Sequence, residues 1–170
     1  MGAGLGDFLQ LLKARGFRDV QGIEPNRTLL GLAGDLPMTE GSCRDASPAL
    51  FGRFDCILIF GVLHHLGSAE AVAAALANAY SLLKDGGVLC CVEPRPSLIR
   101  RGAMAILPRL PVPERLGYLS TAAELMRLES ANLRRWFGIQ PGLLKAAESA
   151  GFKRVFHHED WRCAFLKLRK

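Results

Sequence analysis

The residues Gly2-Ala3-Gly4-Leu5-Gly6 form a glycine-rich turn that opens onto the apolar positions Phe8, Leu9, Leu11 and Leu12. Such a turn lets backbone N–H groups approach a nucleotide-like ligand with no Cβ in the way. Glu24 lies eighteen residues past Gly6, at the end of the next strand-like segment. At the carboxyl edge of a parallel sheet, beside a glycine turn, a carboxylate can accept hydrogen bonds from both hydroxyls of a ribose. Without the glycines it would read as a solvated strand-end acid. The pattern is not the dinucleotide fingerprint G-x-G-x-x-G, because Asp7 stands where the last glycine would fall. His64-His65 is the second group with chemistry in it. Histidine titrates near neutral pH, so either ring could deprotonate an acceptor hydroxyl. As structure alone, the pair opens a helix and shapes a loop. Adjacent side chains point to different sides, so the pair is not expected to grip one ion, and no metal is expected.

The elements that must position these groups alternate between helix and strand, which argues for α/β with a mostly parallel sheet. Gly6 to Arg15 is predicted as a helix stopped by Gly16, Asp19 to Glu24 as a strand, and Asn26 to Leu36 as a helix. Thr39 to Asp45 is predicted as a further strand of poor composition. Phe54 to Gly61 and Val88 to Val92 are apolar without alternation, as in strands buried on both faces. Ser68 caps an Ala/Leu helix that runs to Asp85-Gly86-Gly87. Five prolines between Pro94 and Pro113 predict an irregular stretch. Thr121-Ala-Ala-Glu124 is a capping-box pattern that would open a helix running to Trp136. Pro141 suits a first helical turn ending at Gly151. Lys153 to His157 and Arg162 to Leu168 would pair antiparallel around Glu159-Asp160.

The chain has 170 residues, enough for one domain with its own core. No apolar stretch is long enough to span a bilayer, and no signal-peptide pattern is present. Five cysteines with no C-x-x-C pair read as small buried groups in a reducing cytoplasm. The formal net charge is +6, with Arg95, Arg100, Arg101, Arg109 and Arg115 gathered in the middle of the chain. Without interleaved aromatic residues this reads first as a solvated basic face, and nucleic acid is not the expected partner. Ile99, Met104, Ile106, Leu107 and Leu110, with these arginines, would form either a lipid-facing surface over 94–115 or a layer packed on the sheet. Trp136 and Phe137 are expected in the core.

Phe54-Asp55 through His64-His65-Leu66 and Leu82-Leu83-Lys84-Asp85-Gly86-Gly87-Val88-Leu89 add two further motifs in order. With them the chain resembles the class I S-adenosylmethionine-dependent methyltransferases, in particular the small-molecule group. The glycine turn matches that family's first motif, Glu24 its acidic ribose ligand, and Leu82 to Leu89 its turn into the fifth strand, with Asp85 replacing the usual proline. The resemblance covers residues 1 to 93 and 140 to 170, while 94–139 matches no known motif and lies where such enzymes carry a substrate lid. It implies one doubly wound Rossmann-like domain over 1–170, with helices on both faces and an antiparallel C-terminal strand pair. It also implies S-adenosyl-L-methionine as cofactor and S-adenosyl-L-homocysteine as product. The cofactor site would comprise Gly2, Ala3, Gly4, Gly6, Glu24, Pro25, Gly61 and Val62. Asp45 would hold the adenine amino group and Ala46 would offer its backbone N–H, with Asp35 the less well spaced alternative to Asp45. His65 and His64 would border the acceptor.

In that family a central strand precedes the glycine turn, and here Met1 stands just before Gly2. The first strand is therefore expected to be missing, most simply because the true start lies upstream. Two function classes follow: methyl transfer to a small organic acceptor, or a degenerate cofactor-binding domain acting as a partner subunit.

Overall fold

The structure is a computed structural model that describes residues 1–45 and 47–170, and of Glu114 the backbone alone. Gly6, at φ 84°, is the N-cap of α1 (Asp7–Ala14). A short parallel pair follows, β1 (Gly22–Glu24) beside β2 (Met38–Glu40), connected through α2 (Arg27–Leu32). Asn26 starts α2 by accepting the N–H groups of Thr28 and Leu29. The helix stops well before Leu36, close to Gly34 at φ 63°. β2 ends at Glu40 rather than Asp45, because Gly41 and the turn at Ser42 to Asp45 carry the chain away.

The second sheet is ordered β3-β4-β6-β5, from β3 (Phe54–Phe60), β4 (Leu83–Pro94), β5 (Lys153–Glu159) and β6 (Cys163–Arg169). β3 and β4 run parallel, while β6 is antiparallel to both β4 and β5. The fold is thus α/β with a mixed sheet in two parts and the expected antiparallel C-terminal pair. Residues 1–3 lie between the parts: Met1 N donates to Leu58 O at 2.8 Å in β3, and Ala3 N donates to Ile23 O at 3.0 Å in β1.

α3 (Ala69–Leu82) buries Val72, Ala75, Leu76, Ala79 and Leu82, a one-face pattern at helical spacing. These meet Ile57, Ile59, Leu89 and Cys91 of the sheet. No described helix is long and apolar enough to cross a membrane.

The segment after β4 differs from the sequence prediction. Residues Leu98–Ile106 form a helix, α4, whose N-cap Ser97 accepts the N–H of Arg100. The five prolines all lie outside those nine residues, so they bracket a helix instead of breaking one. α4 buries Met104 and leaves Leu98, Ile99 and Ile106 exposed. α5 (Tyr118–Ile139) begins before the predicted capping box, and Thr121 Oγ1 donates to Gly117 O inside it. Glu124 pairs with Arg127 one turn on, at 2.8 Å. After a 3-10 turn containing Pro141, α6 (Leu143–Ser149) closes the layer.

Trp136 anchors α5. Its side chain is fully buried, as predicted, and Nε1–H donates to Pro94 O at 2.7 Å. Trp136→Ala is expected to lose about 3–5 kcal/mol in urea unfolding. Trp136→Phe, which strands the Pro94 carbonyl but keeps most of the volume, is expected to lose about 1–3 kcal/mol.

Candidate functional site

Two buried carboxylates build the site, each at the carboxyl end of a strand with a parallel partner. The first is Glu24 on β1, 7% exposed. Its Oε2 accepts the N–H of Gly4 at 2.9 Å and its Oε1 accepts that of Asn26 at 3.0 Å. The glycine turn is thereby tied to the strand end, with Pro25 exposed at the bend that follows. Gly2, Gly4 and Gly6 all have positive φ, at 67°, 58° and 84°. Close approach also requires two of them. A Cβ on Gly2 would lie 2.4 Å from Val62 Cγ2, and one on Gly6 would lie 2.3 Å from Leu36 Cδ1. Gly4 faces open space, with nothing within 4 Å of where a Cβ would stand. A carboxylate offers about four acceptor positions, so Glu24 keeps capacity for ligand hydroxyls beyond its two backbone partners. An open glycine beside a buried acid fits a ribose-bearing ligand.

The second carboxylate is Glu93 on β4, 1% exposed. Its Oε1 accepts the N–H groups of Val62 and Leu63 at 2.9 and 2.8 Å. Its Oε2 receives the N–H of His64 at 3.3 Å and lies 2.9 Å from His64 Nδ1. A buried charge persists when donors surround it, and here they fold the chain after β3 into the 3-10 turn Leu63–His65. Gly61, at φ 65°, starts that turn and donates its N–H to Val92 O at 2.8 Å.

Adjacent histidines were expected to diverge, but their rings lie 3.9 Å apart, centroid to centroid, at an interplanar angle of 38°. The tight turn brings them together, and they use different nitrogens. His64 Nε2 is 3.8 Å and His65 Nδ1 is 3.7 Å from Oε2 of Glu129, on α5. Asn132, one turn on in α5, places Nδ2 3.3 Å from His65 Nδ1, while its Oδ1 accepts from Arg135 at 2.8 Å. Burial holds the His65 pKa below its ordinary value, His64 adds to the lowering, and Glu129 and Glu93 oppose it.

The structure therefore gathers Gly2, Ala3, Gly4, Gly6, Glu24, Gly61 and Val62, with His64 and His65 following on the same loop. Asp45 does not end a strand: it is exposed in the turn after β2, with its N–H donated to Ser42 O at 3.2 Å. That turn is pinned to α3, since Asn78 Nδ2 donates to Cys43 O at 2.8 Å. Ala46 lies outside the described residues. Glu93 and Pro94 fit the family resemblance after the strand, but neither Glu93 nor Glu129 nor Asn132 was assigned a role in the site. A lone carboxylate closing the apolar run Val88 to Val92 was the available signal for Glu93, while Glu129 and Asn132 stand in no motif. A concavity of about 500 Å³ lies elsewhere, lined by Ala69, Glu70, Ala73, Ala77, Gly142 and Lys145 among others.

Glu93→Gln swaps an acceptor for a donor that faces N–H groups. It is expected to cost about 1–3 kcal/mol in urea unfolding and to speed amide exchange at Val62, Leu63 and His64.

Comparison with known proteins bears on the family and the fold. The family model described as a methyltransferase domain matches residues 1–155. No curated protein gives a significant match. Among solved structures, an S-adenosylmethionine-dependent methyltransferase from Methanosarcina mazei is 14% identical, with 99% of this chain and 89% of that one covered, at a TM-score of 0.69. The N-methyltransferase NodS from Bradyrhizobium japonicum WM9 is 17% identical, with 99% and 82% covered, at a TM-score of 0.64. A protein from Bordetella parapertussis described as a possible exported protein is 18% identical at a TM-score of 0.65; the alignment takes in 99% of this chain but spans 59% of that one. By the family match, the strand order and the paired motifs, the chain belongs to the class I S-adenosylmethionine-dependent methyltransferase family.

Proposed function

We propose that this chain binds S-adenosyl-L-methionine and transfers its methyl group to an oxygen, nitrogen or carbon of a small organic acceptor, leaving S-adenosyl-L-homocysteine. The observation that carries the reading is the buried Glu24 carboxylate, joined to the Gly4 N–H and retaining acceptor capacity beside the open face of Gly4. The cofactor, when bound, supplies a methyl group on a positively charged sulfur.

The protein's part is placement and proton handling. Glu24 accepts the ribose hydroxyls, and Gly2, Gly4 and Gly6 let the backbone approach the methionine portion. Asp45 and Ala46 are assigned to the adenine, and Gly61 and Val62 to the floor of the reaction chamber. His65, held below its usual pKa by burial, is neutral near pH 7 and has a lone pair for an acceptor proton. His64 orients the turn through Glu93. Residues 94–139, which carry α4 and α5, serve as the insert over the acceptor. Five free cysteines support a reducing compartment. The division of the sheet between β1 and β3 favours one alternative, a cofactor-binding domain that partners another subunit without turnover.

Isothermal calorimetry with S-adenosylhomocysteine tests the reading. The 170-residue chain is expected to bind in the micromolar range, and Glu24→Gln to bind about tenfold more weakly, a loss of about 1.4 kcal/mol. Equal affinity of the two proteins, or no binding by either, would overturn it. Tight binding with no methyl transfer to any acceptor would select the non-catalytic alternative.

A further inference from the structure

We propose that His64, His65 and Glu129 form a binding site for a divalent first-row transition ion such as zinc. Their donor atoms, two imidazole nitrogens and a carboxylate oxygen, all lie within 4.8 Å of one another. Ligands about 2.1 Å from a tetrahedral ion stand roughly 3.4 Å apart. The observed separations from Glu129 Oε2, 3.8 and 3.7 Å, need a contraction of only a few tenths of an ångström. Both are beyond hydrogen-bond reach.

The protons show why these atoms stand apart. Glu93 Oε2 already accepts the backbone N–H of His64, and with Nδ1 as the second donor to it His64 Nε2 presents a lone pair toward Glu129. Asn132 has its oxygen committed to Arg135, so its nitrogen faces His65 and His65 Nδ1 presents a lone pair as well. Glu129 Oε2 is shielded from solvent and has no hydrogen-bond partner among the described residues. The His64 Nε2 lone pair and the Glu129 oxygen thus face each other with no donor between them, and the His65 Nδ1 lone pair beside them is held only by the Asn132 amide, an arrangement that a cation completes. Binding displaces the Asn132 contact, which at 3.3 Å is a long one.

The surroundings are those of a ligand set. The Glu93–His64 pair supplies the carboxylate that fixes the tautomer and orientation of a metal-binding imidazole. Two nitrogens and one carboxylate suit zinc and its neighbours better than magnesium or calcium. Three protein donors leave a coordination position for water or an acceptor oxygen. Because Glu129 belongs to α5 and the histidines to the turn after β3, the ion would clasp the insert onto the sheet edge. With the ion bound, His65 Nδ1 is a ligand and no longer a proton acceptor, so the ion and the general-base role proposed for His65 exclude each other, whereas cofactor binding is read independently of both.

The test is a titration of the chelator-treated 170-residue chain with cobalt(II) chloride, followed by visible absorption. One equivalent is expected to bind with bands of four- or five-coordinate cobalt. Glu129→Gln and, separately, His65→Ala are expected to weaken binding at least about tenfold with circular dichroism unchanged. No binding, unchanged binding in both variants, or a sulfur-to-cobalt charge-transfer band placing the ion on a cysteine would overturn the proposal. S-adenosylhomocysteine calorimetry on the same metal-free protein reads the cofactor site separately, so either result can fail without the other.

Discussion

The Glu93 carboxylate is the interaction on which the rest of the site depends. It sits almost wholly out of water, where an unpaired charge would cost several kcal/mol. Four donors meet it, three backbone N–H groups and one imidazole, all from Val62, Leu63 and His64. Those bonds leave the chain after β3 little freedom. They fix Val62 where Gly2 must lack a side chain, and they stack the two histidines beneath α5. Glu24 repeats the device on β1, capturing the amides of Gly4 and Asn26. Each of the two sheets therefore carries a buried acid at the carboxyl end of a strand that holds a loop.

The charge distribution has a consequence for ligands. The chain as a whole carries a formal +6, yet Glu24, Glu93 and Glu129 gather around the loops of the site. Carboxylates gathered in one place favour cationic partners. A sulfonium-bearing cofactor meets that condition, as does a divalent ion between His64, His65 and Glu129. Two arginines of the middle segment are engaged elsewhere: Arg100 donates to Arg162 O, and Arg95 pairs with Glu159.

The glycine turn and Glu24 were legible because both signals are local: glycine for a positive φ, and an acid at a strand end. The apolar runs of β3 and β4 announced buried strands for the same reason. What escaped the sequence was non-local or competed with a stronger local cue. Prolines on both sides of 98–106 masked a helix that contains none. The capping-box pattern at Thr121 was overridden because α5 starts at Tyr118, leaving the threonine hydroxyl to bond within the helix. The histidine pair was read by the rule for regular elements, whereas a 3-10 turn and the use of different ring nitrogens let the two converge. Glu129 sits more than sixty residues from them, and only the packing of α5 brings it near.

The loops held by Glu24 and Glu93 form one ligand surface with the glycine turn if they respond together to a ligand. Backbone amide chemical shifts of the isotope-labelled chain, recorded as S-adenosylhomocysteine is added, test it most directly. Concerted shifts at Gly4, Gly6, Glu24, Gly61 and Val62, with the β5–β6 hairpin unmoved, are the predicted result. Shifts confined to the Ala69, Ala73 and Gly142 concavity, or none at all, would contradict the account.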